Sequence, residues 1–286
     1  MRTEGLLTEP AGAPSADHVC WVYDDEDGFA AVAVDFLAEG LARGERLLCI
    51  GDPVVAGVRS ATGGLAGVDG LMASGALQVL DVGAAYQPSG GFAPEQQLAF
   101  YEVATRQAID DGYHGLRVVA ELSVLAADPA RRGDLLRWEH LADDFIGHGS
   151  GMAALCAYRC DLDGEALADV ESVHPLVHTP EAGPPFRIWF DGDTLTMGGA
   201  LDTFGAERLC RVLAGSHPEG PQAVADLSRI EFIDVGGCRT LARWARSLAD
   251  RSVQLELVGA SPVFGRMWQI LGFDDYVAVV FRDSVP

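Results

Sequence analysis

Lysine is absent from this chain of 286 residues: all 20 basic side chains are arginine. That absence removes a phosphate-binding P-loop lysine, a Schiff-base lysine and a lysine general base together. Basic residues of any kind are scarce beside 42 acidic ones, leaving a formal charge of −22 and a pI near 4.5. A surface this acidic repels phosphate backbones and argues against direct nucleic-acid binding. Long apolar runs are missing as well. No stretch approaches the roughly 20 apolar residues of a membrane-spanning helix. Residues 1–17 carry acids and prolines where a signal peptide has a continuous apolar region. The expected location is cytoplasmic, with no membrane contact, and the six cysteines are expected as reduced thiols.

What is present is a globular composition, 49% hydrophobic, which excludes a disordered chain. The length favours two domains. Residues 1–16 are small, polar and proline-containing, and are expected as a flexible tail. A break comes at His178-Thr179-Pro180-Glu181-Ala182-Gly183-Pro184-Pro185, whose prolines exclude helix and central strand. The expected organisation is a domain over 17–178, a linker over 179–185 and a second domain over 186–283. Ten arginines against 28 acids leave −18 before residue 179, and ten against 14 leave −4 after it.

In the first half, buried strands are expected at Val19–Tyr23, Arg46–Ile50, Ala76–Leu80, Leu116–Leu122 and Met152–Tyr158. They alternate with helical patterns through Phe29–Leu41, Leu98–Ile109 and Leu135–Ile146. Such alternation implies a parallel sheet with helices on both faces, an α/β fold. The second half is expected to open with a hairpin around Asp191-Gly192-Asp193 and a helix that Asp202 can cap. Strands at Val224–Leu227, Val253–Val258 and Tyr276–Phe281 alternate with helices from Cys238 and from Pro262.

Several clusters carry possible chemistry. The run Asp24-Asp25-Glu26-Asp27 reads as a solvated cap of the next helix, as a weak cation site, or as a ligand-facing edge of the sheet. Glu171, His174 and His178 have spacings that could gather metal ligands, but Pro175 bars a regular helix there and a structural role is favoured over metal. Cys20, Cys49 and Cys156 lie in apolar strands and read as small hydrophobes, while Cys156 and Cys160 are spaced for neither a zinc knuckle nor a redox pair. Cys238 follows Gly236-Gly237 at a helix start, where a thiolate is favoured, so a redox role stays open. Arg239, Arg243 and Arg246 recur on one helix face, either as a solvated stripe or as a cationic docking surface. No serine stands in a Gly-x-Ser-x-Gly elbow, which argues against a hydrolase. Nothing in the pattern calls for a cofactor or a metal.

Two resemblances sharpen these expectations. Gly199-Ala200-Leu201-Asp202, Ala225-Asp226-Leu227-Ser228 and Phe232-Ile233-Asp234-Val235-Gly236-Gly237 resemble the STAS domain of anti-sigma-factor antagonists over residues 186–283. In that family the turn usually reads Asp-Ser-Ser-Gly or Asp-Ser-Thr-Gly, and its second hydroxyl residue is phosphorylated by a partner kinase. Here Asp234 keeps the aspartate, while Val235 and Gly236 occupy the hydroxyl positions, so the phosphoacceptor is missing. The resemblance implies a partner surface formed by Asp202, Cys238, Arg239, Arg243 and Arg246 around this degenerate turn.

The first half resembles the MEDS sensory domain over residues 17–178, through His18–Asp24, Gly40–Arg46, Tyr86-Gln87-Pro88-Ser89-Gly90-Gly91-Phe92, Gly115–Glu121 and His174-Pro175-Leu176-Val177. That resemblance implies a RecA-like sheet and sensing of an unknown small-molecule ligand. The stretch Tyr23-Asp24-Asp25-Glu26-Asp27-Gly28 stands where an ATPase would carry its phosphate loop, and its carboxylates repel a triphosphate. A sensory pocket is expected at the C-terminal edge of the sheet from Tyr23, Asp24, Tyr86, Glu121 and Ser123, with a purely solvated or arginine-paired Glu121 as the alternative. The expected function is a non-catalytic signalling protein, its partner an anti-sigma factor of the serine-kinase type or a related regulator. A scaffold assembling with other STAS proteins is the second reading, and an enzyme on a RecA-like sheet the third.

Overall fold

The computed structural model describes residues 3–7, 17–60, 63–86, 91–180, 182–216, 218 and 220–283. The chain divides into two compact units, Met1–Gly183 and Pro184–Pro286.

The first unit runs β1 (Gly5–Leu6), β2 (His18–Tyr23), α1 (Glu26–Ala42), β3 (Arg46–Ile50), α2 (Asp52–Val58), α3 (Val68–Ser74) and β4 (Leu77–Leu80). It continues with α4 (Val82–Tyr86), α5 (Pro94–Asp110), β5 (Leu116–Glu121), α6 (Ser123–Ala126), α7 (Arg132–Gly147), β6 (Met152–Arg159), α8 (Gly164–Glu171) and β7 (Leu176–His178). The seven strands form one parallel sheet in the order β1-β7-β2-β6-β5-β3-β4. A parallel sheet covered on both faces needs strands apolar throughout, and all six residues of β2 are buried. Cys20 and Val22 join one core, with Trp138 of α7 and Tyr101 of α5. Val19, Trp21 and Tyr23 join the other, with Phe29, Val32 and Phe36 of α1. Part of the expected tail is ordered: Gly5 and Leu7 donate to Pro175 O and Val177 O, adding β1 to the sheet edge. The remainder of that stretch before Asp17 lies outside the described residues, apart from 3, 4 and 7.

One close approach depends on a missing side chain. Arg117 of β5 is buried against the Phe36 ring at 4.5 Å and pairs with Glu45. A Cβ on Gly40 of α1 would stand 2.5 Å from the Arg117 Cδ, so only glycine lets this helix pass over the guanidinium stem.

The second unit runs β8 (Phe186–Asp191), β9 (Thr194–Leu201), α9 (Ala206–Gly215), β10 (Gln222–Ile233), α10 (Val235–Asp250), β11 (Gln254–Val258), α11 (Pro262–Ile270), α12 (Phe273–Tyr276) and β12 (Val279–Arg282). Its mixed sheet has the order β12-β11-β10-β9-β8, antiparallel only at the β8–β9 hairpin. Two expectations are corrected. Tyr276 ends a short helix instead of opening the last strand, because the left-handed Gly272 starts a new turn there. Asp202 does not cap α9 directly: its carboxylate accepts from Gly205 N at 2.8 Å, holding the turn before the helix.

Candidate functional site

Three places gather the chemistry-bearing side chains. The first is the C-terminal edge of the parallel sheet. Tyr23 ends β2 and Glu121 ends β5, and the sheet brings the phenol to 3.2 Å from Glu121 Oε1. Ser123, at the start of α6, donates its hydroxyl to the same oxygen and accepts from Arg159 N at 2.8 Å. Burial raises the Glu121 carboxyl above its ordinary value, although both hydroxyls and Arg159 favour the ion. Burial and the adjacent Glu121 likewise push the Tyr23 phenol up. Beside them lies a shallow cleft of about 160 Å³ lined by Tyr23, Asp24, Glu26, Arg159, Cys160 and Asp161. Arg159 forks onto Asp161 at 2.6 and 3.0 Å, closing one wall. Asp25 N-caps α1 by accepting from Gly28 N at 2.7 Å, so part of the acidic run serves the helix.

Tyr86 does not join this edge. It is buried against Phe92 and Trp138 and shares a 3.0 Å hydrogen bond with Tyr101, because its ring turns into the core beneath α5 and α7. Gln87 to Gly90 of the same motif lie outside the described residues.

The second place is that core. Glu139 and Asp143 lie one turn apart on α7, and His18 of β2, Cys156 of β6 and His174 after α8 converge on them. His18 Nδ1 is 2.8 Å from Asp143 Oδ1, and Tyr158 donates to Glu139 Oε1 at 2.6 Å. Burial alone would lower the His18 imidazole, but Asp143 and Glu139 carry it up to about 9. Burial would likewise raise Glu139, yet His174 and His18 hold its carboxyl well below the usual range. The trio Glu171, His174 and His178 is not assembled: His178 stacks on Trp21 at 3.7 Å, and Trp21 belongs to the opposite face of the sheet from Cys20. His174 instead meets His18, their ring centroids 4.3 Å apart. Sequence reading missed His18, Glu139 and Asp143. The available signal was polar residues at core-facing positions: a histidine opening an apolar strand, and two acids at i and i+4 among Leu135, Trp138, Ala142 and Ile146.

The third place is the turn between β10 and α10. Asp234 N-caps α10 through Gly237 N at 3.0 Å, and its other oxygen takes Thr203 N at 2.8 Å and the Thr203 hydroxyl at 2.7 Å. Burial opposes ionisation, but these bonds hold the Asp234 carboxyl below its ordinary value. Gly236 is packed shut, since a Cβ there would stand 2.6 Å from Thr203 Oγ1 and 2.9 Å from Thr203 Cα. Val235, Arg239, Arg243 and Arg246 are exposed, with Arg246 paired to Asp250 at 3.1 Å. Phe204 beside Thr203 is 98% exposed. Cys238 departs from expectation: it is buried, burial and Asp234 push its thiol up to about 12, and it is neither a poised thiolate nor available to a partner.

Comparison with known families gives two matches. The model of the methanogen/methylotroph, DcmR sensory domain, MEDS, matches residues 17–175, and that of the Mlab STAS domain matches residues 186–281. No curated protein matches the chain.

Proposed function

Because this chain belongs to the MEDS family and continues into a STAS domain, we propose that its first unit senses a small molecule and its second binds an anti-sigma factor. A sensory domain joined to a STAS domain makes it a signalling protein; the partner is an anti-sigma factor of the serine-kinase type, or a regulator related to it. The observation that carries the proposal is the Asp234 turn. Its capping aspartate is in place, Phe204 and Val235 stand exposed beside it, and Arg239 and Arg243 follow on the same helix. Exposed apolar side chains with an arginine rim are the composition of a protein interface. With glycine at position 236, phosphorylation there cannot switch binding. Control passes to the sensory unit, whose ligand alters partner affinity by linkage. The role is non-catalytic and cytoplasmic.

Co-purification from native cytoplasm tests this, wild type beside the Arg239→Glu/Arg243→Glu double variant. Recovery of an anti-sigma kinase that the variant loses supports the proposal and locates its face; an equal yield from both refutes the face. One observation favours the scaffold reading. Val263 and Ile270, at i and i+7 on α11, form a second exposed apolar face. A large assembly by light scattering, with only STAS proteins recovered, replaces the antagonist reading with the scaffold.

A further inference from the structure

We propose that the core of the sensory unit holds a tetrahedral zinc ion, bound by His18 Nε2, His174 Nε2, Glu139 Oε2 and Cys156 Sγ. These four atoms all lie within 4.8 Å of one another. Glu139 Oε2 is 3.6 Å from His18 Nε2, 3.3 Å from His174 Nε2 and 3.6 Å from Cys156 Sγ, and the sulfur is 3.8 Å from His18 Nε2. Zinc bonds of about 2.0 to 2.3 Å at the tetrahedral angle set neighbouring donors about 3.3 to 3.7 Å apart. Three of these edges fall in that range, the sulfur–His18 edge is slightly longer, and the two edges from His174 to His18 and to Cys156 are at most 4.8 Å. A cation at the centre therefore draws the four ligands together by a modest shift of side chains.

The outer contacts point the same way. Val170 O can only accept, so at 2.7 Å His174 carries a proton on Nδ1 and presents Nε2 to the centre of the cluster. That Nε2 is fully buried and faces Glu139 Oε2 at 3.3 Å without the alignment of a hydrogen bond. His18 presents Nδ1 to the Asp143 carboxylate, the arrangement that orients a metal-bound imidazole. Tyr158 occupies Glu139 Oε1 and leaves Oε2 for the ion.

Donor chemistry selects the cation. Two imidazoles, a thiolate and one carboxylate suit zinc and not the oxygen-seeking calcium or magnesium. Binding displaces the Cys156 thiol proton and the proton that the His18 imidazolium carries on Nε2, both of which leave to solvent, and the charges of Cys156 and Glu139 neutralise the dication. Four protein ligands with no open position make the site structural: it ties β2, β6, α7 and the segment before β7 together. Spacing within Cys156 and Cys160 could not reveal it, because the ligands come from positions 18, 139, 156 and 174.

The test uses the full chain purified without a histidine tag. Elemental analysis is expected to find stoichiometric zinc, and cobalt-substituted protein to show a thiolate-to-cobalt charge-transfer band with tetrahedral d–d intensity. Cys156→Ser is expected to abolish the band, while Cys210→Ser, at an exposed cysteine, keeps it. Should Cys156→Ser fail to fold, Asp143→Asn serves instead. It leaves all four ligands and is expected to weaken zinc affinity about 10- to 100-fold, read by competition with a chelator. Stoichiometric iron or copper in place of zinc overturns the assignment. So does a cobalt band that survives Cys156→Ser, or a protein that takes up neither zinc nor cobalt on refolding.

Discussion

Glu121 places a carboxyl at the end of a fully buried strand, with Tyr23, Ser123 and Arg159 to compensate. Its folded value is raised, so as pH climbs from the ordinary glutamate value the unfolded chain ionises first, and the folded state holds the extra proton. Stability is therefore full below the ordinary value and is lost as pH rises through the raised one. Glu121→Gln keeps an oxygen for both hydroxyls and removes the titration. Its stability relative to wild type is expected to rise across that window and level off above it, measured by urea unfolding at a series of pH values. A variant that tracks wild type at every pH shows that the carboxyl ionises freely. Gly236 illustrates the opposite constraint. A methyl at this position collides with the Thr203 hydroxyl and backbone, so Gly236→Ala is expected to cost about 1 to 3 kcal/mol. Gly236→Ser carries the same Cβ, so restoring the hydroxyl demands displacement of Thr203 from Asp234.

At the scale of elements, α10 depends on one side chain for its start. Asp234→Ala removes the cap and both Thr203 bonds, and is expected to cost about 1 kcal/mol or somewhat more in thermal unfolding. Because the folded Asp234 value is depressed, the difference from wild type persists above the ordinary aspartate value and fades as pH falls through the depressed one. The acidic cap of α1, the β8–β9 hairpin and the strands from β2 to β6 were legible in the sequence, because period-2 and 3.6-residue patterns and capping residues are local signals. The Asp234 cap of α10 was not, and Asp202, expected as a cap, holds the turn before α9 instead. Strand β10 was harder to read. Only Val224–Leu227 is apolar enough to announce it, whereas pairing with β9 extends it to Ile233 across two register shifts. The sheet edge was legible in part, since strand ends place Tyr23 and Glu121 together whatever the register. The His18 cluster was not, because it depends on β2 pairing with β6, His18 opposite Ala154 and Cys20 opposite Cys156, more than a hundred residues apart. Tyr86 misled for a related reason: a motif seen as a loop places its tyrosine in the core.

The whole molecule combines two units of unlike charge and unlike reinforcement. The residues before 179 carry −18 and those after it −4, so self-repulsion destabilises the first unit far more than the second. Added salt screens exposed charges more than roughly 10 Å apart at 0.1 M and is expected to raise the unfolding temperature of the first unit while leaving the second almost unmoved. Calorimetry of the full chain can separate them, because each transition carries its own marker. Gly236→Ala lowers only the transition of the STAS unit, which contains Thr203 and Asp234. Metal removal by a strong chelator lowers only the other, whose proposed ligands all precede residue 183. If salt raises the chelator-sensitive transition and spares the one moved by Gly236→Ala, charge repulsion and the buried cluster act on the same unit. A uniform salt shift of both transitions points instead to general salting-out, and the charge asymmetry then has no bearing on stability.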